Sequence, residues 1–201
     1  MIAIAAEVVV RPAEAALATA LAAQVAALAG RPEAPRPPAV AATRKAYQAL
    51  GKDPARYRPA AEALRRRVAQ GKGLPAVNNV VDVNNLLSLE TGLSIGTYDA
   101  ASLTPPLLLR PGQPGESYEG IGRGPLNLVG LPLLADEEGP FGSPTSDSWR
   151  SRVETGTRHV LMVLFGFAPA PVTAAQLARA RELLAAHGGW PVLATELLHG
   201  A

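Results

Sequence analysis

The sequence predicts an α+β fold. Three observations carry it: helical patterns punctuated by Pro and Gly run as far as Thr91, short apolar pieces separated by Gly, Pro and Asp clusters follow as far as Phe167, and a last amphipathic segment returns to helical spacing. With 201 residues, 48% of them hydrophobic, the chain is long enough to bury one good core, and a single domain is the expectation.

Ile2 to Val10 reads as a β-branched strand, and Pro12 to Ala29 as an alanine-rich helix that Gly30 closes. Arg31 to Pro38 holds four prolines and reads as a stiff arm, because the piece before it is too small to fold alone. Pro38 to Leu50 is expected as a second helix ended by Gly51, and Pro59 to Gln70 as a third, with Asp53 and Pro54 turning between them. A fourth helix runs from about Asn79 to Thr91 and stops at Gly92. The β pieces are Ile95 to Tyr98, Leu107 to Arg110, Leu126 to Val129, Leu131 to Ala135 and His159 to Phe167. Val160 to Phe167 is almost wholly apolar and is expected at the centre of a sheet. A final helix is capped by Thr173 and ends before Gly188, and Trp190 to Leu198 packs back as a tail. The organisation is therefore a strand, helix and Pro-rich arm over 1–38, a basic helical pair over 39–72, a pocket-forming core over 77–167 and a C-terminal helix over 173–201.

Composition excludes several chemistries. The absence of cysteine removes disulfides, thiolate metal sites and cysteine nucleophiles, and His159, His187 and His199 have no ligand spacing, so no metal and no cofactor are expected. No long uncharged apolar run and no basic leader with a cleavage site are present, so a cytoplasmic protein without membrane contact is expected. The oligomeric state stays open, and a monomer is compatible with the sequence. The net charge of +2 conceals an asymmetry: Arg44 to Lys72 carries nine Lys or Arg against Asp53 and Glu62, a local +7, whereas Val77 to Asp147 carries nine acids against Arg110 and Arg123, a local −7. A phosphate backbone suits the first segment and an ammonium group the second, and solvated faces of ordinary helices and loops explain both equally.

The stretch Val77 to Asp99 is the most informative. Asn78, Asn79, Asp82, Asn84 and Asn85 interrupt Val and Leu so densely that some of their polar groups must face a semi-buried space, where an unpaired group costs roughly 1–3 kcal/mol. Asn78 to Asn85 (NNVVDVNN) followed by Gly92 to Asp99 (GLSIGTYD) resembles, without a gap, the editing region of the phenylalanyl-tRNA synthetase beta subunit, its third and fourth modules. The likeness loosens from Leu107 to Phe167 and, together with Tyr47 to Arg67, is similar to the freestanding relatives of that region. The resemblance implies three layers, with a β-sandwich-like centre flanked by helices and a pocket between the Asn84 helix and the Thr145 loop.

It also implies site residues. Hydrolysis of an already activated aminoacyl ester needs a shaped pocket, oxyanion donors and a positioned water more than a strong nucleophile. The family's Thr-Asn pair falls on Asn84 and Asn85, and Asn85 keeps the family residue. The family histidine falls on Gly96, which is expected to reshape the pocket towards a different amino acid; Thr97 adds a hydroxyl, and Tyr98 and Asp99 keep the end of the turn. The segment Gly139 to Arg150 gathers Ser143, Thr145, Ser146 and Ser148 around Asp147, so Asp147 is expected to hold the substrate ammonium, and Thr145 or Ser146 to orient water. Capping of the next element by the same side chains is the alternative. Catalysis is thus assigned to Asn85, Thr145, Ser146 and Asp147, and substrate binding to Asn79, Asp82, Asn84, Gly96, Tyr98, Arg123, Asn127 and Ser143. The glycine-rich Gly120 to Asn127 reads as a turn beside the pocket rather than a nucleotide loop, and Asp136 to Glu138 as an exposed hairpin tip. Arg44, Lys45, Arg65, Arg66 and Arg67 are assigned to tRNA.

The function this reading implies is a trans-acting aminoacyl-tRNA deacylase, whose amino acid is polar or arginine-like, such as canavanine. The alternative is a module that binds tRNA or an amino acid without chemistry.

Overall fold

A computed structural model describes residues 1–31, 35–189 and 192–197. The chain runs β1 (Ile2–Glu7), α1 (Ala15–Leu28), α2 (Pro38–Ala49), α3 (Ala60–Ala69), α4 (Asn79–Thr91), β2 (Ser94–Asp99), β3 (Leu108–Pro111), β4 (Ser117–Gly120), β5 (Gly124–Asn127), β6 (Pro132–Asp136), β7 (Gly139–Gly142), β8 (His159–Phe165), α5 (Ala174–Leu183) and β9 (Val192–Leu197). The fold is α+β.

The larger sheet is antiparallel, in the order β2-β8-β1-β9, and the apolar β8 is an inner strand as its composition requires. Alternation along β8 divides the molecule: Val160, Met162 and Leu164 face one side with Ile4, Ala6 and Ile95, and Val163 and Phe165 face the other with Ala3 and Tyr98. Leu17 and Leu21 of α1, Val68 of α3, Val83, Leu86 and Leu87 of α4, and Ala180 and Leu183 of α5 cover the first side. A second antiparallel sheet, β3-β6-β7, covers the other through Leu134 and Phe141. The outer face of that sheet, Leu133 and Ala135, packs beneath Tyr47 of α2 and Tyr118 of the β4-β5 hairpin. The layers are helices, sheet and sheet, with α1, α3, α4 and α5 on one side and the end of α2 reaching the outer face of the second sheet through Tyr47.

Local signals place α4 to the residue. The Asn78 side chain accepts the Val81 N–H at 2.9 Å, and Gly92 ends the helix at φ 73. A side chain at 92 would also strike Pro37, its Cβ 2.5 Å from that of the proline. The helix start is locked into the fold by Asn79, which is fully buried. Its Oδ1 accepts the Arg11 N–H at 2.9 Å, and its Nδ2 donates to the carbonyls of Val9 at 3.0 Å and His187 at 2.6 Å. Asn79 therefore has no group left for a substrate, which corrects its assignment as a ligand. Asp82, also buried, accepts the Val77 N–H at 3.2 Å and braces the same helix start.

The expected tail is described over Val192–Leu197, where it adds edge strand β9 to β1, whereas Trp190, Pro191 and Leu198 lie outside the described residues. His199 and Pro32 to Ala34 of the proline-rich arm also lie outside them. Among the described residues no helix is long and apolar enough to cross a membrane.

Asn79→Ala leaves three backbone groups unpaired in the interior and should lower unfolding free energy by about 2 kcal/mol or more. Asn85→Ala, which removes an amide that makes no hydrogen bond among the described residues, should stay within about 0.5 kcal/mol of the parent. Urea unfolding of the two variants checks both values.

Candidate functional site

Three buried tyrosines, Tyr47, Tyr98 and Tyr118, converge on the loop 143–148 that leaves β7. Two of them hold it in shape. The Tyr47 hydroxyl lies 2.8 Å from Thr145 Oγ1, which itself donates to the Tyr57 carbonyl at 3.1 Å, so Tyr47 is the donor in the first bond. The Tyr118 hydroxyl lies 3.1 Å from Ser143 Oγ and 2.5 Å from the Ser146 carbonyl. Ser143 Oγ also accepts the N–H groups of Thr145 and Ser146, each at 3.3 Å. The hydroxyls of Ser143 and Thr145 are thus consumed in building the loop.

The third phenol is different. Tyr98 lies between two glycines: a Cβ on Gly96 would fall 1.9 Å from its Oη, and a Cβ on Gly142 2.2 Å from it. The expectation that glycine at 96 leaves room for a different amino acid is corrected here, because the Tyr98 hydroxyl already fills that space. The same Gly96 position is 2.9 Å from Asp147 Oδ1. Tyr98 Oη and Asp147 Oδ1 are both buried, and neither closes a hydrogen bond of normal geometry.

Asp147 keeps part of its surface exposed while Oδ1 is covered. Burial pushes its carboxyl up to about 7, against the neighbouring Tyr98 hydroxyl and Ser143 N–H, which favour the carboxylate. Burial foremost, then the Asp147 charge, holds the Tyr98 phenol neutral, far above its ordinary range. Burial likewise raises Tyr47 and Tyr118, and the nearby Arg123 guanidinium pulls both the other way. Arg123 is exposed and has no ion pair among the described residues. Ser146, half-buried, has a hydroxyl without a hydrogen bond among the described residues.

The other predicted residues lie elsewhere. Thr97 donates to Asn84 Oδ1 at 3.0 Å on the helix side of β2, and Gly96 and Tyr98 face Asp147 on the opposite side. Strand β2 therefore separates α4, with Asn84 and Asn85, from the Thr145 loop. Asn127 is exposed and accepts the Val129 N–H at 3.0 Å, shaping the turn after β5. Asp136, expected at an exposed hairpin tip, has a covered side chain paired with Arg150 at 2.6 Å. Burial alone would raise its carboxyl, but the Arg150 pair and the Thr104 N–H outweigh it and hold the carboxyl low. Arg150 also donates to the carbonyls of Gly139 at 3.0 Å and Ser102 at 3.0 Å, pinning the end of the loop to the β6-β7 hairpin.

A sequence model of the B3/4 domain matches residues 42–182, well over half of the chain. The chain belongs to the B3/4 domain family. Among solved structures it is similar to an N-terminal fragment of the phenylalanyl-tRNA synthetase beta subunit from Pyrococcus horikoshii, at 18% identity and a TM-score of 0.44. That match covers 56% of this chain and 41% of the fragment, so the chain spans less than half of its length. No curated protein matches the chain.

The basic segment of this B3/4 domain is partly spent on structure. Arg44 pairs with Glu62 at 3.0 Å, Arg65 donates to the Leu89 carbonyl at 2.8 Å and Arg67 to the Gly73 carbonyl at 2.9 Å. Lys45 and Arg66 are exposed and unpaired among the described residues. Arg66 lines a cavity of about 630 Å³ with Arg31, Arg36, Arg65 and Glu62. A second cavity, of about 420 Å³, lies beside the 143–148 loop between the β4-β5 hairpin and Trp149. Sequence reasoning missed Tyr47 and Tyr118 as builders of the site. The signal available for Tyr47 was the one aromatic in a helix whose other buried residues, Ala39, Val40, Ala42 and Thr43, are small.

Two outcomes follow for this B3/4 domain. Gly142→Ala forces a methyl against a ring that cannot retreat and should cost about 1–3 kcal/mol, read as a lower midpoint in thermal or urea unfolding. Because the folded-state carboxyl of Asp147 lies above its unfolded value of 3.8, the folded chain holds the extra proton between about pH 4 and pH 7, and stability falls as pH rises through that window. Asp147→Asn, which mimics the protonated form, should therefore gain on the parent progressively between about pH 4 and pH 7 and level off above it in paired urea titrations.

Proposed function

We propose that this B3/4 domain hydrolyses the ester of aminoacylated tRNA in trans. The observation that carries the reading is Asp147, a carboxyl raised to about 7 with an unpartnered oxygen, in a loop whose Ser143 and Thr145 hydroxyls are committed, inside a domain of this family. Asp147 takes a proton from the water that attacks the ester carbonyl carbon, and the carbonyl oxygen gathers the electron pair. When the C–O bond to ribose breaks, Asp147 returns the proton to the leaving ribose oxygen. A base titrating near neutrality is matched to this work. Ser146, whose hydroxyl is unengaged, orients the water, and Thr145 positions the loop rather than touching substrate. Asn85 has an unengaged amide, but it stands across β2 from Asp147, so the proposal rests on the loop.

For the amino acid, a polar or cationic side chain of the canavanine type is supported by charge alone, that of the acidic Val77 to Asp147 segment. Among the basic residues assigned to tRNA, Arg66 and Lys45 are exposed and unpaired among the described residues and are free to meet phosphates. A non-catalytic tRNA or amino-acid binding module is favoured by one observation, the closure of Tyr98 Oη and Asp147 Oδ1 away from solvent.

The test is release of labelled amino acid from a panel of correctly and incorrectly charged tRNAs, including tyrosyl-tRNA for phenylalanine and canavanyl-tRNA for arginine. Selective release is expected from one mischarged species, with kcat/KM rising through pH 7. Asp147→Asn should lower it by about 100-fold or more while tRNA affinity stays within about twofold. Arg66→Ala should instead weaken tRNA binding and flatten its salt dependence by about one counterion. No release from any species, with salt-sensitive tRNA binding intact, would establish the binding module in its place.

A further inference from the structure

The groove of about 420 Å³ beside the loop is lined by Glu119, Gly120, Gly122, Arg123, Gly124 and Trp149. Trp149 is 52% exposed, and the adjoining Ile121 is 42% exposed. An indole of this size left open to water is unusual, and this one is held in place. The Arg152 guanidinium lies 4.4 Å over its ring, and Arg152 itself is fixed by the Trp149 carbonyl at 3.0 Å and by Glu154 at 2.7 Å. Arg123 supplies a positive charge without an ion pair among the described residues, and Glu119 an acceptor. The glycines give the groove a floor without side chains, and Gly122 and Gly124 at φ 68 and φ 73 adopt backbone conformations that other residues resist.

The groove is continuous with the candidate site. Gly120 bridges Ser148, Ile121 N–H donates to the Asp147 carbonyl at 3.0 Å, and a Cβ on Gly120 would lie 3.3 Å from Ser146 Oγ. Trp149 follows Asp147 by two residues, about 7 Å of chain at most. A flat ring stacked on the indole thus places its sugar next to Ser146 and Asp147. An exposed aromatic face, a gap of about 420 Å³, a guanidinium for phosphate that is unpaired among the described residues and a carboxylate for a base amino group together match a nucleotide of an unpaired strand.

We infer that this groove is the seat of the 3′-terminal nucleotide of the RNA substrate, with its base stacked on Trp149 and Arg123 on the adjoining phosphate. The inference rests on the proposed action on aminoacyl-tRNA and names how the acceptor end is held. Because Trp149 is exposed and lies in a short turn, its replacement leaves the core intact, and Trp149→Phe keeps an aromatic face.

The test measures binding of uncharged tRNA, intact or lacking its terminal adenosine, by fluorescence anisotropy at fixed salt. Trp149→Ala should weaken binding of intact tRNA about 5- to 100-fold, to the level at which the parent binds trimmed tRNA, with no further loss on trimmed tRNA. Trp149→Phe should restore most of the affinity. Equal affinities of the parent for intact and trimmed tRNA, equal losses on both tRNAs, no loss on either, or no tRNA binding at all would overturn the inference. Deacylation is read separately. Hydrolysis by the parent that Trp149→Ala leaves unchanged sinks the groove alone, and terminal-adenosine-dependent binding without hydrolysis by the parent sinks the enzyme reading alone.

Discussion

The two larger sheets of this B3/4 domain meet at an aromatic wedge. Gly96 on β2 and Gly142 on β7 leave a gap without side chains, and Tyr98 occupies it, with Phe141 edge-on at 4.9 Å and 85°. A methyl on either glycine would overlap the phenol, so the approach of the sheets, the ring and the two glycines are mutually determined. The 143–148 loop leaves directly from Gly142, and its placement over β2 follows from the wedge. Because the ring fills the space from the inside, its hydroxyl emerges against Asp147 rather than into water, and the electrostatics of the site follow from packing.

The loop illustrates how few of a polar segment's groups are available for chemistry. Ser143 and Thr145 satisfy backbone groups and two phenols, Arg150 fastens the far end through Asp136, and Ser148 donates its N–H to the Phe141 carbonyl at 2.9 Å. What is left over is Ser146, Asp147 and the Tyr98 hydroxyl. A segment that must satisfy its own backbone spends most side chains on that task, and the remainder marks where a substrate has something to meet.

Legibility followed the range of the interaction. Helix α4 was readable from Asn78 and Gly92 because capping acts within four residues, and β8 was readable as an inner strand because both of its faces are apolar. Helix α1 begins at Ala15 rather than near Pro12, because the chain is still extended at Glu14. Strands β4 and β7, Ser117–Gly120 and Gly139–Gly142, went unread, since four-residue pieces are too short for an apolar run or a period of their own, although each pairs with its chain neighbour, β5 or β6, in a tight hairpin. The strand expected at Leu126 to Val129 lies at Gly124–Asn127, because Asn127 is spent on the turn that follows it.

By itself, the sequence determined the α+β class, the order and type of the long elements, the family motif across α4 and β2 and the polar loop that holds Asp147. These rest on capping, periodicity and turn chemistry, which act between residues close in the chain. Only the tertiary structure decided which polar groups are spent and which are free. Asn79 meets Val9 and His187, Thr145 meets Tyr47 and Tyr57, and Tyr98 takes the space that glycine at 96 leaves open. Each of these partners is distant in the chain or set by the approach of a second sheet. An amide or hydroxyl in a sequence carries the same donors and acceptors whether it braces a fold or meets a ligand, and only the position of its partners separates the two.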